Sequence, residues 1–360
     1  MTDQQAPDMD KTLEFLEHMM GHVEGALVSS LIYLGDKLGL YKAMQGAGPL
    51  TAAELAKRTG LHERWVREWL HNQGAAKMLE YRGEERFELT PEQALVLADE
   101  ENSVFFMAGM CQGLPGMLNL LPSLTESFRT GVGHPYDAQG ADGAHGVARG
   151  FAPWYRHMLI PLILPGLDGV VAKLEAGAKV ADVGCGAGIA LIEMAKAYPN
   201  SDFHGFELSK EALALAEKNK EEAGVGNVTF HDVRGEQLPT DGSYDFITTF
   251  DCIHDMTHPR EVIAAIRKAL KDDGTYLIAD IKSKPTYDEN VEENPMAAMM
   301  YGFSVLSCMS SAMSEPDGEG LGTLGLHPQL AEQICRDAGF TQFAEKDFGN
   351  PINTYYEVRP

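Results

Sequence analysis

The chain lacks a run of Lys and Arg, a Cys-x-x-Cys pair and any long apolar stretch. Each gap excludes something. With 29 basic against 53 acidic residues the formal net charge is -24. Such a surface repels phosphate, so nucleic acid and anionic membranes are not expected partners. Five cysteines (Cys111, Cys185, Cys252, Cys308 and Cys335) are odd in number and widely spaced. That pattern predicts neither a disulfide framework nor a bound metal, and it fits a reducing, cytoplasmic setting. The apolar piece Met158–Pro165 is too short to span a bilayer and contains proline. The first ten residues are acidic and lack the charged-then-apolar plan of a signal peptide.

What is present is globular composition, 44% hydrophobic and 23% charged, and length enough for two domains. Leu13, Leu16, Met19, Met20 and Val23 repeat at helical steps. Residues 26–41 are apolar on more than one face, as in a helix buried against another, including one from a second subunit. Thr51 and Glu54 form a capping-box pair, and Gly60 ends that helix. A second helix starts at His62, and 78–82 with 86–91 read as the strands of a wing. This is a winged helix-turn-helix pattern over residues 1–133. Its would-be recognition helix carries Glu63 and Glu68 beside Arg64 and Arg67. Dimerisation or covering of a substrate therefore suits it better than DNA binding. Residues 134–150 are glycine-rich and predict a linker or lid. Trp154 and Tyr155 follow, free to face a pocket or to pack between domains.

From 178 onward strands alternate with helices, which predicts a parallel sheet covered on both faces, an α/β fold. The apolar run Val180–Val183 carries Asp182 and breaks into Gly184, Gly186 and Gly188 before a helix. Glycines there let backbone N–H groups approach a ligand, and the helix start favours an anionic group. The spacing is not the G-x-G-x-x-G of a dinucleotide site. The next strand ends in Glu207-Leu208, and a carboxylate there can accept both hydroxyls of a ribose. The third ends in Asp232-Val233, where an acid and a backbone N–H can take the adenine edge. The fourth ends in Phe250-Asp251, with His254 close behind. Methionine-rich residues 294–313 read as an inserted helix whose Met299, Met300 and Phe303 could wall a partly apolar ligand or fill a domain interface.

Together these features resemble the class I S-adenosylmethionine-dependent methyltransferases, over roughly residues 170–282. The first module resembles the dimerisation domain of small-molecule O-methyltransferases, and more closely that of mycobacterial methyltransferases with an N-terminal winged helix. The resemblance implies a Rossmann-like seven-stranded sheet spanning 151–360 and ending in an antiparallel hairpin, behind a mainly α winged-helix domain. It implies S-adenosylmethionine as cofactor and S-adenosylhomocysteine as product. Gly184, Cys185 and Gly186 would lie under the methionine moiety, with Asp182 orienting the turn. Glu207 and Leu208 would hold the ribose side, Asp232 and Val233 the adenine, and Phe250 and Asp251 the methionine end. The pair His254-Asp255 matches the His-Asp of the natural-product enzymes, with the histidine as general base; lining the pocket or binding backbone is its other role. Met256 stands where a tryptophan commonly follows. The expected function is methyl transfer to a small, partly apolar acceptor, oxygen favoured, by a homodimer. The competing expectation is a winged-helix regulator that senses the same cofactor.

Overall fold

The computed structural model describes residues 6–360. They form two compact units, divided between Leu114 and Pro115. The sequence reading set its first boundary at 133.

The first unit opens with a long helix, Met9–Lys37, capped by Asp8, whose carboxylate accepts from Asp10 N at 3.0 Å. Helices Ala52–Thr59 and Glu63–Ala75 follow, and the Thr51–Glu54 capping box is present. Strands β1 (Glu80–Tyr81) and β2 (Phe87–Glu88) pair antiparallel as a short wing. Leu40, Met44, Leu55 and Leu70 form the dry centre of this unit. A second feature is left uncovered in the chain. Met9, Leu13, Leu16, Met20, Val23 and Leu27 recur at alternating four- and three-residue steps, and all are exposed.

In the second unit the glycine-rich segment is a helix, Gly140–Trp154, and not a linker over most of its length. Its glycines permit close packing. A Cβ on Gly143 would fall 2.6 Å from the Gln139 side chain, and one on Gly116 would fall 2.4 Å from the Gln139 carbonyl. The helix continues as π-helix over Tyr155–Ile163. Pro153 and Pro161, which lack N–H groups, interrupt the regular ladder there.

Seven strands build the sheet: β3 (Lys179–Val183), β4 (Asp202–Glu207), β5 (Val228–Asp232), β6 (Tyr244–Phe250), β7 (Leu270–Ile281), β8 (Gln342–Lys346) and β9 (Asn353–Arg359). Their order is β5-β4-β3-β6-β7-β9-β8. All neighbours pair parallel except those of β9, which runs antiparallel to β7 and β8. Strand residues alternate between two covered faces. Val180, Phe203, Phe246 and Leu277 pack with Leu191 and Met194 on one side. Ala181, Phe206, Ile247 and Ile278 pack with Ile263, Ile266 and Ile334 on the other. Each fully buried side chain of this size contributes about 1.5–3 kcal/mol before chain entropy is counted. The sequence order reverses direction at β3, with β4 on one side and β6 on the other, so the crevice opens at the carboxyl ends of these strands. Among the described residues no single helix is long and apolar enough to cross a membrane.

Candidate functional site

The turn after β3 is shaped by its glycines. Gly184, Gly186 and Gly188 have φ of 74°, 53° and 72°, which L side chains rarely adopt. A Cβ on Gly184 would also fall 2.7 Å from Cys252 Sγ, whereas one on Gly186 would meet nothing within 4 Å. Open space over Gly186 is what a ligand resting on the turn requires. Cys185 is buried in the core below it.

Glu207 locks this turn to the end of β4. Its Oε2 accepts from Gly186 N at 2.8 Å, and Oε1 accepts from Leu208 N and Ser209 N, each at 2.8 Å. A carboxylate has about four acceptor positions, so one remains for an incoming hydroxyl. Burial raises its proton affinity, against the pull of the three N–H groups. The Leu208 side chain is exposed beside it.

Asp182 lies beneath the turn, 2% exposed, and accepts from Thr248 Oγ1 at 2.7 Å. Burial pushes its carboxyl up to about 7, with the Thr248 bond opposing. At the end of β5, Asp232 is gripped by Arg234 Nε at 2.7 Å and Nη2 at 2.6 Å, and that guanidinium holds its carboxyl down at about 2. The Val233 N–H departs from expectation. It donates to Glu207 O at 3.1 Å because the β4–β5 ladder, which pairs Glu207 with Asp232, runs one residue further. It is therefore not available to an adenine nitrogen.

The loop after β6 carries the densest polar cluster. Asp251 has φ of 53°, a strained region for a non-glycine residue. Its N–H donates to Ala279 O at 2.9 Å, and Asn353 Nδ2 donates to its carboxylate. Burial, then the Asp280 charge, pushes the Asp251 carboxyl up to about 8. His254 is 2% exposed, and its Nδ1 lies 2.6 Å from Asp280 Oδ1. Burial, the largest single effect, works to lower the imidazole's proton affinity, but the charge and hydrogen bond of Asp280 together with those of Cys308 outweigh it, and the net direction is well upward. Asp280 Oδ1 also accepts from Ile281 N at 2.8 Å, while its buried Oδ2 has no partner. Asp280 and Thr248 escaped the sequence reading; the one sign of Asp280 was a single acid in the apolar run Leu277–Ile281.

Phe250 is buried in the core, with the Tyr155 ring centroid 5.1 Å from its own. Trp154 and Tyr155 both pack against that core while remaining partly exposed. On the inserted helix Ala297–Phe303 the expected contacts diverge. Met300 is buried with Ile281 and Leu324, Phe303 packs on that small cluster, and Met299 is exposed. One surface group could hold a cation by its geometry: His258 Nε2 lies 3.3 Å from Glu315 Oε2, with Asp317 beside it.

A seven-stranded sheet of this order, with a glycine turn at the switch point and acids closing the next two strands, defines a methyltransferase-type α/β fold. Comparison with known proteins agrees. Residues 174–339 match the family model of a methyltransferase domain, and residues 26–99 that of an Rv2258c-like winged HTH domain. The chain thus carries a stretch matching a winged-helix model ahead of one matching a methyltransferase-domain model. A ubiquinone biosynthesis O-methyltransferase of Cupriavidus pinatubonensis is 32% identical over 127 residues, 35% of this chain and 49% of that protein. The chain spans about half the length of the curated relatives it matches. Among solved structures, human N-acetylserotonin methyltransferase in complex with SAM is similar at TM-score 0.66 and 17% identity, over 99% of each chain. A Burkholderia thailandensis protein of the O-methyltransferase family matches at TM-score 0.66 and 18% identity, over 99% of this chain and 98% of that one.

Proposed function

We propose that the protein transfers a methyl group from S-adenosylmethionine to a small, partly apolar acceptor, with oxygen as the favoured acceptor atom, and releases S-adenosylhomocysteine. The observation that carries the reading is the His254–Asp280 pair, 2.6 Å apart, with Asp280 on β7 and His254 on the loop whose Cys252 and Met256 flank Gly184. The bound cofactor supplies an electrophilic methyl on a sulfonium. The residues present suit it. Gly184, Cys185 and Gly186 offer a close-approach surface, and Asp182 ties β3, the strand that feeds that turn, to β6 through Thr248. Glu207 keeps one acceptor position for the ribose. Asp232 serves the adenine amine after Arg234 moves aside, and Leu208 flanks the ring. Phe250 and Asp251 bound the methionine end. Trp154, Tyr155, Met299, Met300 and Phe303 belong to the acceptor side, with Tyr155 nearest through its contact with Phe250.

His254 acts as general base in this reading. Asp280 fixes Nδ1, which leaves Nε2 to take the proton of an acceptor hydroxyl. The same carboxylate makes the imidazole hold its proton to higher pH, so the active neutral form grows as pH rises. Beyond that the protein's task is in-line placement.

The exposed stripe from Met9 to Leu27 supports a homodimer, since a seam at alternating four- and three-residue steps is what a partner helix buries. The regulator reading gains nothing from the winged helix. Arg64 pairs with Glu68 at 2.5 Å and Arg67 with Glu63, so its own acids neutralise that face. A reducing, cytoplasmic setting suits the five free cysteines. A screen with methyl-labelled cofactor against phenols, carboxylates, amines and thiols tests the proposal. Label on a phenol supports it; no label on any acceptor, with cofactor binding intact, overturns it.

A further inference from the structure

The methyl-transfer reading leaves two buried asparagines, Asn350 and Asn353, without a role. They bear on Asp251. Among the described residues of the second unit, Asp251 alone has a left-handed backbone without being glycine. Its neighbour Cys252 donates from Sγ to Val183 O at 3.1 Å and stands 2.7 Å from where a Cβ on Gly184 would be. Asp251 is thus fastened beside the turn proposed to carry the cofactor.

What holds the Asp251 side chain comes from the last strand. Asn353, the first residue of β9, donates from Nδ2 to Asp251 Oδ1. A second amide fixes the direction of the first. Asn350 Nδ2 donates to Asn353 Oδ1 at 3.2 Å and to the Tyr355 hydroxyl at 2.9 Å. Asn350 Oδ1 accepts from Ile352 N at 2.8 Å and from Asn353 N at 3.0 Å. Asn350 therefore uses both of its donors and both of its lone pairs. With its own oxygen taken by Asn350, Asn353 turns its NH₂ group toward Asp251. A buried donor is costly without an acceptor, so the amide keeps Oδ1 of Asp251 as an acceptor and leaves Oδ2 outside the bond. The pairing of Asn353 with Ile281 across the sheet runs through main-chain groups and does not call on this side chain.

We propose that Asn353, oriented by Asn350, is a positioning residue for cofactor binding: it sets the Asp251 carboxylate to receive the ammonium group of the methionine moiety. The inference rests on the S-adenosylmethionine reading and on the place of Asp251 at the methionine end. The chemistry is complementary. An ammonium brings three donors and a full positive charge, and a carboxylate restrained at one oxygen can meet it with the other. Burial, then the Asp280 charge, pushes the Asp251 carboxyl up to about 8, while His254 and the Asn353 donor act against that rise. A bound ammonium would act in the same direction as Asn353.

The test is calorimetry on the full chain with two ligands. S-adenosylhomocysteine carries the amino-acid portion, and 5′-methylthioadenosine keeps the nucleoside and thioether without it. Asn353→Asp preserves the size of the side chain and replaces a donor by an acceptor. It should weaken S-adenosylhomocysteine about tenfold or more, as expected for a disturbed charge-assisted hydrogen bond, and leave 5′-methylthioadenosine unchanged. Asn353→Ser, which adds no charge, should show the same split. Equal losses for the two ligands would mean that Asn353 only supports the fold, and unchanged S-adenosylhomocysteine affinity would mean that Asp251 needs no holding; either overturns the assignment. If the buried charge of Asn353→Asp abolishes the thermal unfolding transition, Asn353→Ser decides alone. A parent that binds neither ligand would overturn the cofactor reading itself, whereas a parent that binds both, with variants that lose both in parallel, overturns this inference only.

Discussion

Replacing Asp182 with asparagine should make the protein more stable than its parent at pH 8 and less stable at pH 4. The carboxyl sits under the glycine turn at 2% exposure, and burial lifts it from the usual 3.8 to about 7. A folded-state value above the unfolded one means that the stabilising contribution is complete below about pH 4. It is lost as pH climbs through about 7. At pH 8 the ionised group thus costs folding about 4 kcal/mol, from roughly three pH units at 1.36 kcal/mol each. Asparagine keeps an oxygen for Thr248 Oγ1 but puts an amide NH₂ where an oxygen was, at about 1–3 kcal/mol if it finds no acceptor. The balance is a gain of roughly 1–3 kcal/mol at pH 8, or about 2–12 °C in Tm for a unit of this size. At pH 4 the gain vanishes and the amide cost remains. Thermal unfolding followed by circular dichroism from pH 4 to 8 reads both ends. Parallel Tm-against-pH curves for parent and variant would refute the reasoning, because they would mean that Asp182 titrates alike in both states.

Glu207→Ala removes the acceptor of three backbone N–H groups as well as the proposed ribose contact. Calorimetry should show S-adenosylhomocysteine binding weakened about 100-fold or more, from charge-assisted bonds at about 1.5–3 kcal/mol each; unchanged affinity would remove the ribose assignment. His254→Gln should lower turnover by roughly 10²–10⁴-fold with cofactor affinity preserved. In the parent, turnover should rise with pH along a limb set above the ordinary histidine range, and a pH-independent rate would exclude the base role. Leu16→Asp with Met20→Asp, both on the exposed stripe, should convert the proposed homodimer to monomer in light scattering. An unchanged mass would place the interface elsewhere.

The central strands were legible because they are short apolar runs ended by a polar or glycine residue, as at Val183-Gly184 and Phe206-Glu207. The acids closing β4 and β5 could be read from their position alone. The partner of His254 could not. Asp280 lies 26 residues further on, and only the parallel pairing of β6 with β7, Phe250 opposite Ala279, brings the two together. At 134–150 composition pointed to a linker or lid and did not reveal the helix Gly140–Trp154. Glycine also serves close packing, and Gly143 against Gln139 uses it that way. The Val233 N–H was open to a ligand by sequence and closed by the ladder that runs past Glu207. Local pattern reveals what ends a strand, while register decides which ends meet.

The three N–H groups gathered by Glu207 carry a consequence for how such a chain changes over generations. A substitution that altered its grip on a nucleoside would also unfasten the Gly186 turn and the start of the helix after Ser209. On the proposed ribose contact, donor choice and local folding are a single trait there, and drift at that position is penalised twice. Met299, exposed on its helix, carries no such double duty. Variation can accumulate on that side, so descendants of one scaffold would keep a common donor while diverging in what they modify.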